Sequence, residues 1–371
     1  MFDRVLGPVV STPVRAGRAG SELGARVDIV VSAGVRDSWR RHRGEPLLRS
    51  YRPALYEELW REAADTLGAT VDRRTGEVLE IRLDTKTTWV YQQEVALDAG
   101  VTLRASLDKA LAHELLADAG TPLPAHVVCD VRRLGPALQF LHEHPEGVVV
   151  KPADGTGGGI GVTASVRTDL QLRRAVLLAA RKGHRVLVEA LVPGHVHRLL
   201  FLDGELLDVV RREPPHVVGD GTSSIHGLIA RENAARLQAR GRLGAAFLTT
   251  TPDCVFTLAN AGLDLRSVPA AGARVQVKTT TNHAGPADCH TVRDSLAPEL
   301  LAQLTAAVRA TSLRLAGVDL ITTDPTVPLK RTRGAVIEVN GNPALHHHYH
   351  VADPAGATRV CIPVLRRVLQ S

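Results

Sequence analysis

Two short C-terminal segments, "AGVDLIT" and "GAVIEVNGNPAL", carry Asp319, Glu338 and Asn340. β-Branched and apolar residues cluster there between glycine and proline breakers, which predicts two strands. Glu338 and Asn340 are two apart, so on a strand their side chains leave the same face. Asp319 can join them from a neighbouring strand. Two carboxylates and an amide oxygen make a hard, all-oxygen wall, which Mg²⁺ prefers when it also holds phosphate oxygens. Two ordinary strands with polar ends would show the same letters, so the rest of the chain has to decide.

A second group lies upstream. "VVVKPADGTGGGIGVT" places Lys151 at the end of a buried strand, followed by Gly155, Thr156, Gly157, Gly158, Gly159 and Gly161. Glycines let backbone N–H groups approach phosphate oxygens, and a lysine adds fixed positive charge. The lysine precedes the glycines and no GK[ST] follows, so this is not a Walker A loop. Glycine richness alone also fits a flexible surface loop. In "RVLVEALVPGHVHRLL", Glu189 ends a strand beside a short linker, where a carboxylate and backbone groups can read an adenine amino edge. A solvated strand-terminal glutamate fits as well.

The elements that must position these residues read as follows. A strand is predicted at 26–32 and an amphipathic helix near 53–67. Ser106 opens a helix with Leu107, Ala110, Leu111 and Leu115 on one face, closed by Gly120 and Pro122. A strand (125–129), a helix (134–144), the Lys151 strand, a helix (169–183) and the Glu189 strand follow. "HRLLFLDGELLDVVRR" is a hairpin turning at Asp203-Gly204. Residues 214–290 look like an insertion with a helix near 223–237, and a helix over 297–315 leads into the Asp319 strand. Hairpins mixed with helices point to α+β domains rather than one doubly wound sheet.

Composition narrows the function classes. The 371 residues exceed one small core, which predicts two or three domains. No apolar run reaches membrane-spanning length and the N-terminus lacks a signal-like core, so a cytoplasmic protein is expected. The four cysteines are scattered without a CxxC, so neither a disulfide framework nor a zinc knuckle is indicated. Net charge is +6, but the arginines are spread evenly and aromatics are only 3%. That leaves few stacking platforms and argues against nucleic acid.

In order and spacing, Lys109, Lys151 with its glycine loop, Glu189, Asp319 and Glu338-x-Asn340 resemble the ATP-grasp superfamily. "DKALAHELLADAGTPLP", "PPHVVGDGTSSIHGLI" and "VIEVNGNPAL" followed by "HHHYHVADPAG" are similar to the ATP-grasp module of cyanophycin synthetases and their glutathione-synthetase-like relatives. The "VVGDG" stretch with downstream Glu232 and Asn233 marks this subgroup. The resemblance covers roughly residues 105–371. It implies an α+β ATP-grasp fold of two subdomains, 105–191 and 192–371, behind an N-terminal α/β domain over 1–104. It also implies a ligase that activates a carboxylate as an acyl phosphate for attack by an amine.

By the same resemblance, Lys109 and Lys151 contact ATP phosphates or adenine, the 154–161 loop covers the phosphates, and Glu189 with the Ala190 and Leu191 backbone holds adenine. Asp319, Glu338 and Asn340 bind two Mg²⁺ ions. Arg198, Arg212 and Lys278 face the acyl phosphate or substrate carboxylates, for which a guanidinium fork is suited. The implied partners are small amino-acid-like molecules, with neither nucleic acid nor membrane, and a homo-oligomer is compatible.

Three features depart from the pattern. Val196 stands where relatives carry an acid for the ribose, so His195, His197 or a neighbour must substitute. The glycine loop is one residue longer. The Asn-x-Ser-x-Gly-Gly segment that holds the amino-acid substrate reads "TTNHAGPADCHTVRD", with Asn282 kept, Pro286 and Ala287 in place of the glycines, and His283 and Asp288 new. His283, Asp288, His346 and His348 are therefore expected to line a changed substrate pocket. His346 and His350 also have the i, i+4 spacing of a transition-metal pair. A substrate loop is favoured, because a metal there would duplicate the Mg²⁺ site. The expected product is an amide or isopeptide, of γ-glutamyl type as the first guess. A polymer- or carrier-extending ligase and a degenerate ATP-binding regulator are the rivals.

Overall fold

Asp108, not Ser106, starts the helix that carries Lys109. Its carboxylate accepts the N–H groups of Ala110 and Leu111 at 3.0 and 3.2 Å, a side-chain N-cap. Ser106 instead lies inside the preceding helix α2 (Gly100–Leu107), which runs across the 104/105 position. The buried face of α3 (Lys109–Asp118) is Lys109, Ala112, His113 and Leu116, whereas Leu107 and Leu111 are 58% and 38% exposed. The apolar period chose the wrong face because two polar side chains are buried there against carboxylates of distant strands.

The computed structural model describes residues 50–153, 161–181, 185–240, 247–292 and 296–371. The strand expected at 26–32, the glycine loop up to residue 160 and the end of the 169–183 helix lie outside the described residues. Helix α1 (Arg52–Leu67) packs on the four-stranded meander β1–β4 (Thr70–Arg73, Leu79–Leu83, Lys86–Tyr91, Glu94–Val95). Every pairing in that meander is antiparallel, so the described N-terminal part is α+β rather than the expected α/β. Tyr56, Trp60, Ile81 and Val90 share one core with Leu200, Leu202, Leu315 and Leu345. Val364 and Leu365 of the C-terminal helix join the same core.

The central sheet has the order β5-β8-β6-β7 (His126–Asp130, Arg185–Ala190, Val148–Pro152, Thr163–Val166). Helices α4 (Gly135–Glu143) and α5 (Asp169–Ala179) cover one face through Leu141, Leu172, Val176 and the alternate residues Val148, Val150, Val186 and Val188. The opposite face carries Lys151, Leu187 and Glu189, as the period of two requires.

The C-terminal sheet has the order β13-β10-β9-β14-β15 (Cys289–Thr291, Glu205–Arg212, His195–Leu202, Leu315–Thr322, Ala335–Gly341). The β9–β10 hairpin turns at Asp203 and Gly204, both at positive φ as such a two-residue turn demands. Helix α8 (Pro298–Ala310) buries Leu300, Leu304 and Val308 against Leu199, Phe201, Val209, Val318 and Leu320. It stops well before 315 because β14 starts there. The other face is apolar at Leu200, Leu202 and Leu315, and polar beyond. The described residues of 214–290 form their own small core of Val217, Ile225, Leu228, Leu248, Leu258 and Val277 around the β11–β12 hairpin (His216–Val218, Arg274–Gln276) and helices α6 (Ile225–Gln238) and α7 (Pro252–Asn260). Among the described residues no helix is long and apolar enough to cross a membrane.

Candidate active site

Register across three strands puts the charged residues in one row. Arg198 of β9 pairs with Asp319 of β14, which pairs with Glu338 of β15, while Asn340 lies opposite Gly317. Arg198 forks onto Asp319, Nε to Oδ1 at 2.7 Å and Nη2 to Oδ2 at 2.8 Å. The fork crosses β14 at Gly317, where a Cβ would stand 2.9 Å from Arg198 Nη1 and 2.6 Å from Pro343. Only glycine leaves room for that approach. Asn340 Nδ2 reaches Asp319 Oδ2 at 3.5 Å. Lys109 Nζ lies 2.6 Å from Glu338 Oε1, so α3 of the central part clamps onto the C-terminal sheet. Burial raises the Glu338 pKa, but the Lys109 and Lys151 charges outweigh it and hold the carboxyl below its usual range.

Arg212 shares this face, opposite Val196 and two residues beyond Val210, the partner of Arg198. It is 2% exposed, its Nη2 donates to Thr281 O at 2.6 Å, and its Nε has no partner. No carboxylate lies within ion-pair distance of it among the described residues. A buried guanidinium without a counter-ion is costly, and burial lowers its pKa. An anionic ligand would relieve that cost.

On the central sheet Lys151 Nζ pairs with Glu189 Oε1 at 2.7 Å, and both side chains are almost fully buried. His113 Nε2 is 3.6 Å from the same oxygen. A cavity of about 280 Å³ opens beside them, lined by His113, His126, Ala153 and Leu187 among others. The Ala190 and Leu191 amides donate to Ala125 O and Gly147 O. A purine edge there must therefore be read by carbonyls or by Glu189. Gly155, Thr156, Gly157, Gly158 and Gly159 lie outside the described residues.

The remaining expected residues separate into two places. His346 Nδ1 meets Tyr56 Oη of α1 at 2.9 Å, and His348 Nδ1 meets Asp208 Oδ2 of β10 at 2.6 Å. The turn Leu345–His348 thus lies over the polar face of the C-terminal sheet. Lys278 donates to Thr249 and Thr251 hydroxyls inside the insertion. Asn282 is half-buried there, and His283 has a buried Nδ1 with no partner. Asp288 accepts Gly285 N–H and lies 2.7 Å from His216 Nδ1, which engages it in holding its own turn. His195 and His197 alternate with Val196 and Arg198, so they leave the opposite face and cannot stand in for a ribose-binding acid. Among the described residues no three His, Cys, Asp or Glu side chains converge as a metal group.

No family model matches the chain. Cyanophycin synthetase of Trichormus variabilis is 31% identical over 256 residues, 68% of this chain and 28% of that protein. Cyanophycin synthetase of Synechocystis is 31% identical over 269 residues, 71% of this chain and 30% of that protein. The glutathione biosynthesis bifunctional protein GshAB of Streptococcus mutans is 29% identical over 257 residues, 66% of this chain and 33% of that protein. A bifunctional glutathione synthetase from Pasteurella multocida superposes with a TM-score of 0.53 at 23% identity, over 84% of this chain and 43% of that one. The chain belongs to the ATP-grasp superfamily. It spans under a third of the length of the cyanophycin synthetases it matches. Its fold is the ATP-grasp α+β fold, as expected.

Burial, ahead of all other causes, pushes His113 and His197 of this ATP-grasp protein down to about 4. Burial also keeps His346, His347 and His348 below the ordinary histidine value. The unfolded chain protonates near 6.5 and the folded one lower, so stability is full above 6.5 and falls as pH drops toward 4. At pH 5, His113 and His197 should each withdraw about 2 kcal/mol. The melting temperature should therefore fall between pH 7 and 5. A flat profile would show these imidazoles are not buried neutral.

Proposed function

We propose that this chain is an ATP-dependent carboxylate–amine ligase that joins two amino-acid-like molecules through an acyl phosphate, as an amide or isopeptide and with γ-glutamyl chemistry the first candidate. One observation carries the reading: the Arg198–Asp319–Glu338–Lys109 row shares one sheet face with a buried Arg212 that has no carboxylate at ion-pair distance among the described residues. Cyanophycin synthetases and glutathione synthetases among the relatives support the reaction class.

Asp319, Glu338 and Asn340 offer only oxygen donors, a set that fits Mg²⁺. When bound, such ions neutralise phosphate charge and hold the terminal phosphate in line. Lys151 and Glu189 grip the nucleotide base side, and Lys109 adds positive charge at the phosphates. Arg198 and Arg212 offer guanidinium donors to the transferred phosphoryl group and the acyl oxygen. Asp288 shapes the 285–288 turn, and with Asn282, His283, His346 and His348 it bounds the amino-acid side. Lys278 holds the 249–251 segment behind that wall.

The test is ADP release over a panel of amino-acid pairs with Mg²⁺, with mass detection of the condensed product. A pair that releases ADP and yields a product lighter by one water supports the proposal. ADP release without condensation for every pair would sink it.

A further inference from the structure

Asp208 was not marked by any motif, yet it is a fully buried carboxylate on the reacting face of the C-terminal sheet. It lies opposite Leu200, in the same alternation as Arg212 of its own strand and Arg198 of β9. Its Oδ2 lies 2.6 Å from His348 Nδ1, and its Oδ1 accepts the Thr358 hydroxyl at 2.7 Å. Burial raises the Asp208 pKa, but the His348 and Thr358 hydrogen bonds prevail and keep it below the carboxylate norm. An ionised carboxylate only accepts, so the proton between them sits on His348 Nδ1. Burial holds His348 below its ordinary pKa, hence neutral at pH 7, and Nε2 carries the lone pair.

That Nε2 is buried and has no hydrogen-bond partner. A buried acceptor left unpaired costs free energy, and a donor from outside the chain would relieve that cost. Titratable and charged neighbours are Arg198 of β9, Arg212 and Asp208 of β10, and His346 and His347 of its own turn. Both guanidiniums assigned to the acyl phosphate act on the His348 imidazole electrostatically, so a donor arriving at Nε2 arrives within their field.

We propose that His348 Nε2 is the base that takes a proton from the amine acceptor, with Asp208 as the residue that positions the imidazole and fixes its tautomer. The inference rests on the ligase reading above. An ammonium has no lone pair and cannot attack. His348 removes one proton, the freed pair forms the C–N bond, and the C–O bond to phosphate breaks with its electrons on the phosphate. The second N–H proton leaves with that phosphate as hydrogen phosphate, and His348 returns its own proton to water on product release. Sealing the imidazole from bulk water also limits hydrolysis of the acyl phosphate.

Asp208→Asn tests this without removing a hydrogen bond. Asn donates Nδ2–H to His348 Nδ1 and still accepts from Thr358, which moves the imidazole proton to Nε2 and abolishes the base. The probe is hydroxylamine, a nucleophile that is unprotonated at pH 7 and needs no base. Wild type and variant are given ATP, Mg²⁺, the carboxylate donor found by the ADP screen, and either hydroxylamine or the amine.

In Asp208→Asn, hydroxamate formation should stay within a few-fold of wild type. Amide formation should fall by roughly 10²–10⁴. His348→Gln should show the same split, and thermal melts confirm that both are folded. Equal loss of both products, or no loss of either, overturns the base and leaves the pair a packing contact. A wild type that makes neither product overturns the ligase reading itself, and this one with it.

Discussion

Glu338→Gln is expected to remain folded and to lose 10²–10³ in turnover, the scale seen when one charge-stabilising group is removed from a reacting centre. The substitution keeps the shape and one acceptor oxygen but removes the charge. The Glu338 side chain is 30% exposed but Lys109 only 10%, so orphaning the lysine costs some stability, less than at a pair buried on both sides. Asp319→Asn should be more damaging to the fold, because Arg198 would lose a bidentate partner in a nearly buried place. ADP release against magnesium concentration, with a thermal melt as control, reads the effect. A folded Glu338→Gln protein with near-normal turnover would mean that this carboxylate holds no phosphate-bound ion.

The row of charges was legible because strand alternation is local. Val–Asp–Leu–Ile–Thr and Val–Ile–Glu–Val–Asn each announce a strand, and the period of two puts Glu338 and Asn340 on one side. The β9–β10 hairpin was legible from Asp203-Gly204 for the same reason. The same alternation, applied to "HVHR", would have shown that His195 and His197 face away from Arg198. Helix α3 was misread because Leu107 and Leu111 look like core residues, whereas Lys109 and His113 are buried by partners more than 70 residues away. Asp208 and Tyr56 carry no local signal, since their partners His348 and His346 lie 140 and 290 residues along the chain. One clue to Asp208 was available: it stands four before Arg212 on a strand, hence on the same face.

Lys151→Met should give the largest loss of stability. It leaves Glu189, 2% exposed, without its ion-pair partner, and breaking one side of a buried pair costs about 3–5 kcal/mol. His113 cannot compensate, because burial keeps its imidazole neutral and Nε2 is 3.6 Å away. The melting temperature without nucleotide should drop by roughly 5–10 °C. Adding Glu189→Gln removes the orphaned charge and should restore most of that loss. Stability and nucleotide binding then come apart. If the cleft binds ATP with Mg²⁺ as proposed, the nucleotide should stabilise the wild type by about 2.7 kcal/mol at a hundredfold excess over Kd, because it binds only the folded state. The double variant, though refolded, should lack that shift, whereas Lys330→Ala, an exposed lysine, should keep it. A double variant that gains the full wild-type shift would assign Lys151 and Glu189 to the interior of the central sheet alone, with the nucleotide held elsewhere.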